Sequence, residues 1–127
     1  MISPKDRAAV VAALKRHGAK ARKGQLRIGV GDLFWYVGLR ADGVGPQAAW
    51  LFEVGCWVPE LTPEPEGGAV DCPLMLDVPG GDDVVATASA LVDDVTVVGD
   101  LAALGQWAQR HPEALVDRVL RERLSDI

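Results

Sequence analysis

Asparagine is missing from this 127-residue chain, cysteine, methionine and histidine occur twice each, and tyrosine once. Cys56 and Cys72 lie in no metal or redox spacing and are too few for a disulfide framework, so reduced thiols are expected. Neither His17 nor His111 stands at helical spacing from another ligand type, which leaves no metal-binding pattern and no expected cofactor. Aliphatic hydroxyls are confined to Ser3, Ser89, Ser125, Thr62, Thr87 and Thr96, none within a G-x-S-x-G elbow, so nucleophilic catalysis lacks its usual parts. No apolar run reaches the roughly 18 residues of a membrane span. The start, MISPKDRAAVVAALKRHG, carries acid, base and proline where a signal peptide needs an apolar stretch. A soluble cytoplasmic protein with no membrane partner is the expectation.

Bases are scarce over most of the chain. Residues 1 to 27 hold eight of the thirteen Lys and Arg against Asp6 alone, for +7, whereas residues 28 to 109 hold only Arg40 against thirteen acids, for −12. Such a layout has two uses: the acidic middle steers a basic partner, or the halves complement each other within the fold or across a homodimer. What is abundant is ordinary. With 49% apolar and 24% charged residues, 1 to 127 reads as a single globular domain. Nine Arg to four Lys, with abundant Ala, Val, Gly and Asp, points to a bacterial gene of high GC content.

SPKDRAAVVAALKRHG predicts a helix: Ser3 caps, Pro4 suits the first turn, and Gly18 ends it. AKARKG is then a basic connector, and Leu26, Ile28 and Val30 alternate as a strand over about 25 to 31. LFWYVGLRA and AAWLFEVGCWV are two further strands joined through DGVGPQ. The stretch 59 to 73, PELTPEPEGGAVDCP, reads as a surface loop, and LMLDV as a short fourth strand. Asp82 or Asp83 caps a helix whose end at VTVV competes with a strand at 95 to 98. Asp100 opens another helix, and EALVDRVLRERL forms a last one with Leu115, Val116, Val119, Leu120 and Leu124 inward. The expected fold is α+β, a two-layer sandwich of an antiparallel three- to four-stranded meander with an N-terminal helix and two to three C-terminal helices.

GVGPQA, Gly43 to Ala48, fits a dinucleotide fingerprint in letters only, because strand rather than helix follows it. Lys15, Arg16, Lys20, Arg22, Lys23 and Arg27 form a basic cluster, yet no aromatic is interleaved for base stacking, which weighs against nucleic acid. Cys56 reads as a small buried hydrophobe. The aromatics say more. Phe34, Trp35, Tyr36, Trp50, Phe52 and Trp57 crowd two adjacent strands, and period-two alternation puts some on each face. Either the helices cover part of both faces, or one face is a contact surface or pocket.

The short N-terminal helix, RHGAKARKGQLRI running into the first strand, the LFWYVGLRA and WLFEVGCWVPEL pair, and the late DLAALGQWA helix together resemble small uncharacterised bacterial α+β domains, which include or lie near immunity proteins of polymorphic toxins. The resemblance implies a binder rather than a catalyst, with a cationic toxin domain as partner. The residues themselves nominate an acidic protein-interaction surface of Glu53, Trp57, Glu60, Glu64, Glu66, Asp71 and Asp77, with Trp57 as aromatic anchor. The alternative is a small-ligand domain or minor enzyme whose pocket between sheet and helices is lined by Trp35, Trp50 or Trp57 and keyed by Glu53.

Overall fold

Ser3 caps the first helix as its sequence requires: its hydroxyl accepts from the Asp6 amide at 3.1 Å, and Pro4 opens α1, Pro4–Lys15. The computed structural model describes residues 3–16, 18–22, 24–43 and 49–127, so His17, Lys23 and all of the GVGPQA turn beyond Gly43 lie outside the described residues. After α1 come β1 (Lys20–Arg22), β2 (Gln25–Val30), β3 (Leu33–Asp42), β4 (Ala49–Trp57) and β5 (Leu74–Pro79). Then follow α2 (Val84–Val95), α3 (Leu101–Arg110), β6 (Leu115–Val116) and α4 (Arg118–Ser125). The class is α+β, and the sheet is a six-stranded antiparallel meander in sequence order, with α2 and α3 inserted between the last two strands.

Two strands exceed the expected three to four. β1 forms inside the supposed basic connector, where Gly24 at φ +79° lets the chain turn back so that Lys20 pairs with Arg27. β6 forms inside the supposed last helix. Asp117 is extended there, its side chain caps α4 by accepting from Leu120, and its amide donates to the Pro73 carbonyl at 2.8 Å. Leu115 and Val116 are thereby drawn onto β5, and Leu115 and Val119 face outward rather than inward, at 67% and 51% exposure. At VTVV the helix reading prevails: α2 stops at Val95, and the Thr96 hydroxyl donates back to the Val92 carbonyl. Asp83, not Asp82, caps α2.

Register fixes the two faces. Ile28, Trp35, Cys56, Leu74 and Val116 align across the sheet, as do Leu26, Val37, Val54 and Leu76. This set, with Val10 and Leu14 of α1, Ala88, Val92 and Val95 of α2, and Leu104 and Trp107 of α3, makes the main core. Trp35 meets Trp107 edge-on at 5.0 Å and donates its indole N–H to the Val98 carbonyl at 3.1 Å, so the buried ring is satisfied.

The second face carries Arg27, Tyr36, Gly55 and Met75 in one row and Gly38, Glu53 and Asp77 in the next. Segment 59–73, expected as a surface loop, is the layer that covers it. Pro65, Gly68, Ala69 and Cys72 are buried, and Gly68–Asp71 forms a 3-10 turn seated on Gly55. A Cβ on Gly55 would lie 2.6 Å from the Ala69 carbonyl oxygen and 2.8 Å from Cys72 Sγ, so only glycine lets the segment lie this close. Strand propensity alone favours valine at this position. The packing predicts the reverse: Gly55→Val destabilises by about 1 to 3 kcal/mol, read by thermal or urea unfolding, and exposes Cys72 to thiol reagents in the folded protein.

Candidate binding surface on the second sheet face

Glu64 reaches the sheet from the middle of the covering segment. Arg22 donates to it twice, Nε to Oε1 at 2.8 Å and Nη2 to Oε2 at 2.9 Å, Arg27 Nη1 donates to Oε1 at 2.8 Å, and the Tyr36 hydroxyl donates to Oε1 at 3.1 Å. The strand pairing places these donors. Arg27 lies opposite Tyr36, and Arg22 stands on β1 one strand further out, so all three converge on one point above the face. The hydrogen bonds of Arg22, helped by Tyr36 and by the charges of Arg22 and Arg27, outweigh partial burial and hold the Glu64 carboxyl at about 2 instead of the ordinary 4.5. Burial raises the Tyr36 hydroxyl above its ordinary value.

The rest of the segment is pinned along the same face. Trp57 stacks on Phe34 at 5.1 Å and donates its indole N–H to the Thr62 carbonyl at 3.0 Å, while the Arg27 guanidinium lies 4.9 Å over the Phe34 ring. Gln25 lies across Gly38 and accepts from the Ala69 amide at 2.9 Å, and Asp71 accepts from the Gly67 amide at 2.7 Å. Tyr36, Ala69 and Cys72, with Trp57 against them, close a second small apolar cluster.

The acids nominated from the sequence therefore divide. Glu64 and Asp71 are consumed by the segment's own seating. Arg40 takes both Glu53, at 3.5 Å, and Asp77, at 3.2 Å, while Glu60 lies 3.8 Å from Arg123. Glu66 is exposed. Trp57 is half-buried and serves the intramolecular stack. Trp35 is wholly inside the core, and Trp50 lies half-buried with Arg7 5.5 Å over its ring. Sequence reasoning passed over Gln25, and it read Arg22 and Arg27 only as part of a basic cluster and Tyr36 only as a sheet aromatic, not as the receptor for Glu64. The signal for them was available: Gly29, Gly38 and Gly55 all sit in strand interiors on the same face, and interior strand glycines mark a close backbone approach.

Chemistry at the thiols is suppressed. Burial pushes Cys56 well above its ordinary range and Cys72 up to about 12, with neighbouring Asp71 adding to the latter. His111 stacks on Trp107 at 4.1 Å, with Nε2 3.4 Å from Asp94 and Nδ1 3.6 Å from Glu113. Asp94 also accepts the Trp107 indole N–H at 2.8 Å, so it anchors two side chains of the helical layer. Among the described residues no group of three His, Cys, Asp or Glu is placed to hold a metal ion, and no helix is long and apolar enough to cross a membrane. Comparison with protein-family models, with curated proteins and with solved structures found no match to this chain.

Because the Glu64 pKa is lowered by folding, its pairing stabilises fully above the unfolded value near 4.5 and is lost as pH falls toward 2. Urea midpoints measured from roughly pH 6 down to pH 2 should show Glu64→Gln well below wild type at the upper end and converging with it at the lower. A constant gap across that range would mean that the carboxylate's charge is not what seats the segment.

Proposed function

We propose that the protein is a non-catalytic interaction module that holds a basic protein partner at the outer edge of β5. The sharpest form of this reading is the one the family resemblance implies, an immunity protein neutralising a cationic toxin domain. The observation that carries it is an open strand edge with an acidic rim. β6 covers only Leu74 and Met75 of β5, so Leu76 to Pro79 has no strand partner on that side among the described residues. Beside this edge lies a groove of about 310 Å³ lined by Met75, Leu76, Asp77, Glu113 and Leu115. An open edge presents backbone donors and acceptors to an added strand. Met75 and the exposed Leu115 give such a strand apolar footing, while the rim is acidic: Asp77 and the neighbouring Glu53 share Arg40, and Glu113 lies 3.6 Å from His111. The surface is thus narrower than the nominated acidic set, because Glu64 and Asp71 are internally spent. A rim of this kind acts chiefly on partner choice and association rate and weakens with salt.

A labelled peptide alternating lysine and valine serves as the probe. Fluorescence anisotropy at low salt should show saturable binding that an alternating glutamate and valine peptide does not reproduce. Asp77→Lys combined with Glu113→Lys should weaken it at least about tenfold, roughly 1.4 kcal/mol. Equal binding of the two peptides, or an unchanged affinity in the double variant, would remove the reading.

A further inference from the structure

At the opposite edge of the sheet, on the helix-covered face, a cavity of about 300 Å³ lies between α1 and strands β2 and β3. Its walls are aliphatic: Val10 and Leu14 from the helix, Leu26, Val37 and Leu39 from the sheet. The space exists because several of the remaining neighbours are small, while Gln25 has its side chain engaged across Gly38 with the Ala69 amide. Ala21 and Gly24 stand where β1 turns into β2, and neither carries a side chain long enough to reach between helix and sheet. Protein interiors leave few voids larger than a water molecule, and a space of this size falls at the lower end of ligand pockets.

Charge distinguishes this cavity from a packing gap. Arg7, Val11 and Lys15 follow one another at i, i+4 and i+8 along a single line of α1, so two exposed cations flank one aliphatic residue at the rim. No carboxylate lines the cavity, and among the described residues neither Arg7 nor Lys15 belongs to an ion pair. Arg7 is held by the Trp50 ring 5.5 Å below its guanidinium, a contact that positions the cation without neutralising it. Elsewhere in the +7 segment Arg22 and Arg27 are taken up by Glu64; these two cations are not.

We infer that this cavity binds a small amphipathic monocarboxylate, its apolar chain against Val10, Leu14, Leu26, Val37 and Leu39 and its carboxylate between Arg7 and Lys15. The site is independent of the β5 edge and of any partner there. Unlike the pocket expected from the sequence, its lining includes none of Trp35, Trp50, Trp57 and Glu53.

Octanoate, octanol and acetate, titrated separately into the full chain by calorimetry and followed by thermal shift, separate the contributions. Octanoate should bind saturably and raise the melting temperature, octanol should bind at least about tenfold more weakly, and acetate should give no saturable signal. Arg7→Gln with Lys15→Gln, both at exposed positions, should bring octanoate to the octanol level. Val11→Trp, which fills the rim and leaves both charges in place, should reduce octanoate and octanol alike. Absence of saturable octanoate binding, octanol binding as well as octanoate, or an unchanged affinity in the charge variants would each overturn the assignment. Lysine–valine peptide binding at β5 should be unaffected by these variants, so either site can fail without the other.

Discussion

A single carboxylate oxygen, Glu64 Oε1, accepts hydrogen bonds from Arg22, Arg27 and Tyr36, side chains of three adjacent strands. Those donors would otherwise stand as two unpaired cations and a phenol on an open sheet face. The carboxylate would otherwise sit in a proline-rich segment with little secondary structure of its own. Charge-assisted hydrogen bonds of this geometry are among the stronger ones available to a partly solvated site, and a bidentate arginine also fixes direction. The rest of the second layer follows from that fixed point. With Glu64 placed, Pro65 turns inward, the 3-10 turn settles onto Gly55, and Cys72 delivers the chain to the start of β5. The segment therefore sets where the fifth strand begins as well as covering the strands before it.

The same interaction accounts for the charge layout. A +7 segment followed by a −12 segment could have meant a basic surface and an acidic surface. Instead the two meet on the second face, where bases from β1 and β2 receive an acid from beyond β4. Closing the dipole inside the fold removes the middle of the expected acidic surface from use by a partner. What survives lies at the β5 edge, where Arg40 alone offsets Glu53 and Asp77.

The legible parts of the fold were those with local causes. Ser3, Asp83 and Asp100 cap the helices they precede, and alternation locates β2 to β5, because capping and pleat act within a few residues. β1 and β6 were not legible. Three residues and two residues carry no period of their own, and each is a strand only because a neighbour offers its edge. Segment 59–73 was misread for a related reason: prolines, glycines and acids are the composition of a solvated loop, and only the register of Arg27 against Tyr36 shows that a receptor for Glu64 awaits it. The interior glycines on one face were the one local trace of that long-range fact. Of the candidate site, residue types were readable but availability was not, since a carboxylate facing water and one already paired look alike in sequence.

The two strands that sequence could not show are also what leave the sheet's margins open. An edge of full length would either be paired or invite uncontrolled pairing, and very short edge strands are one way of limiting that liability. Here the short strands leave different remainders. β1 spans only part of β2, and with Ala21 and Gly24 at its turn it leaves aliphatic space beneath α1, flanked by cations. β6 spans only part of β5 and leaves backbone beside Met75 and Leu115, flanked by acids. The segregation of charge along the sequence, offset over β1 to β3 where Glu64 takes up Arg22 and Arg27, thus persists beside the two edges with opposite sign. An anionic small molecule at one edge and a cationic polypeptide at the other are what those remainders would select, and the strands between them keep the two places apart.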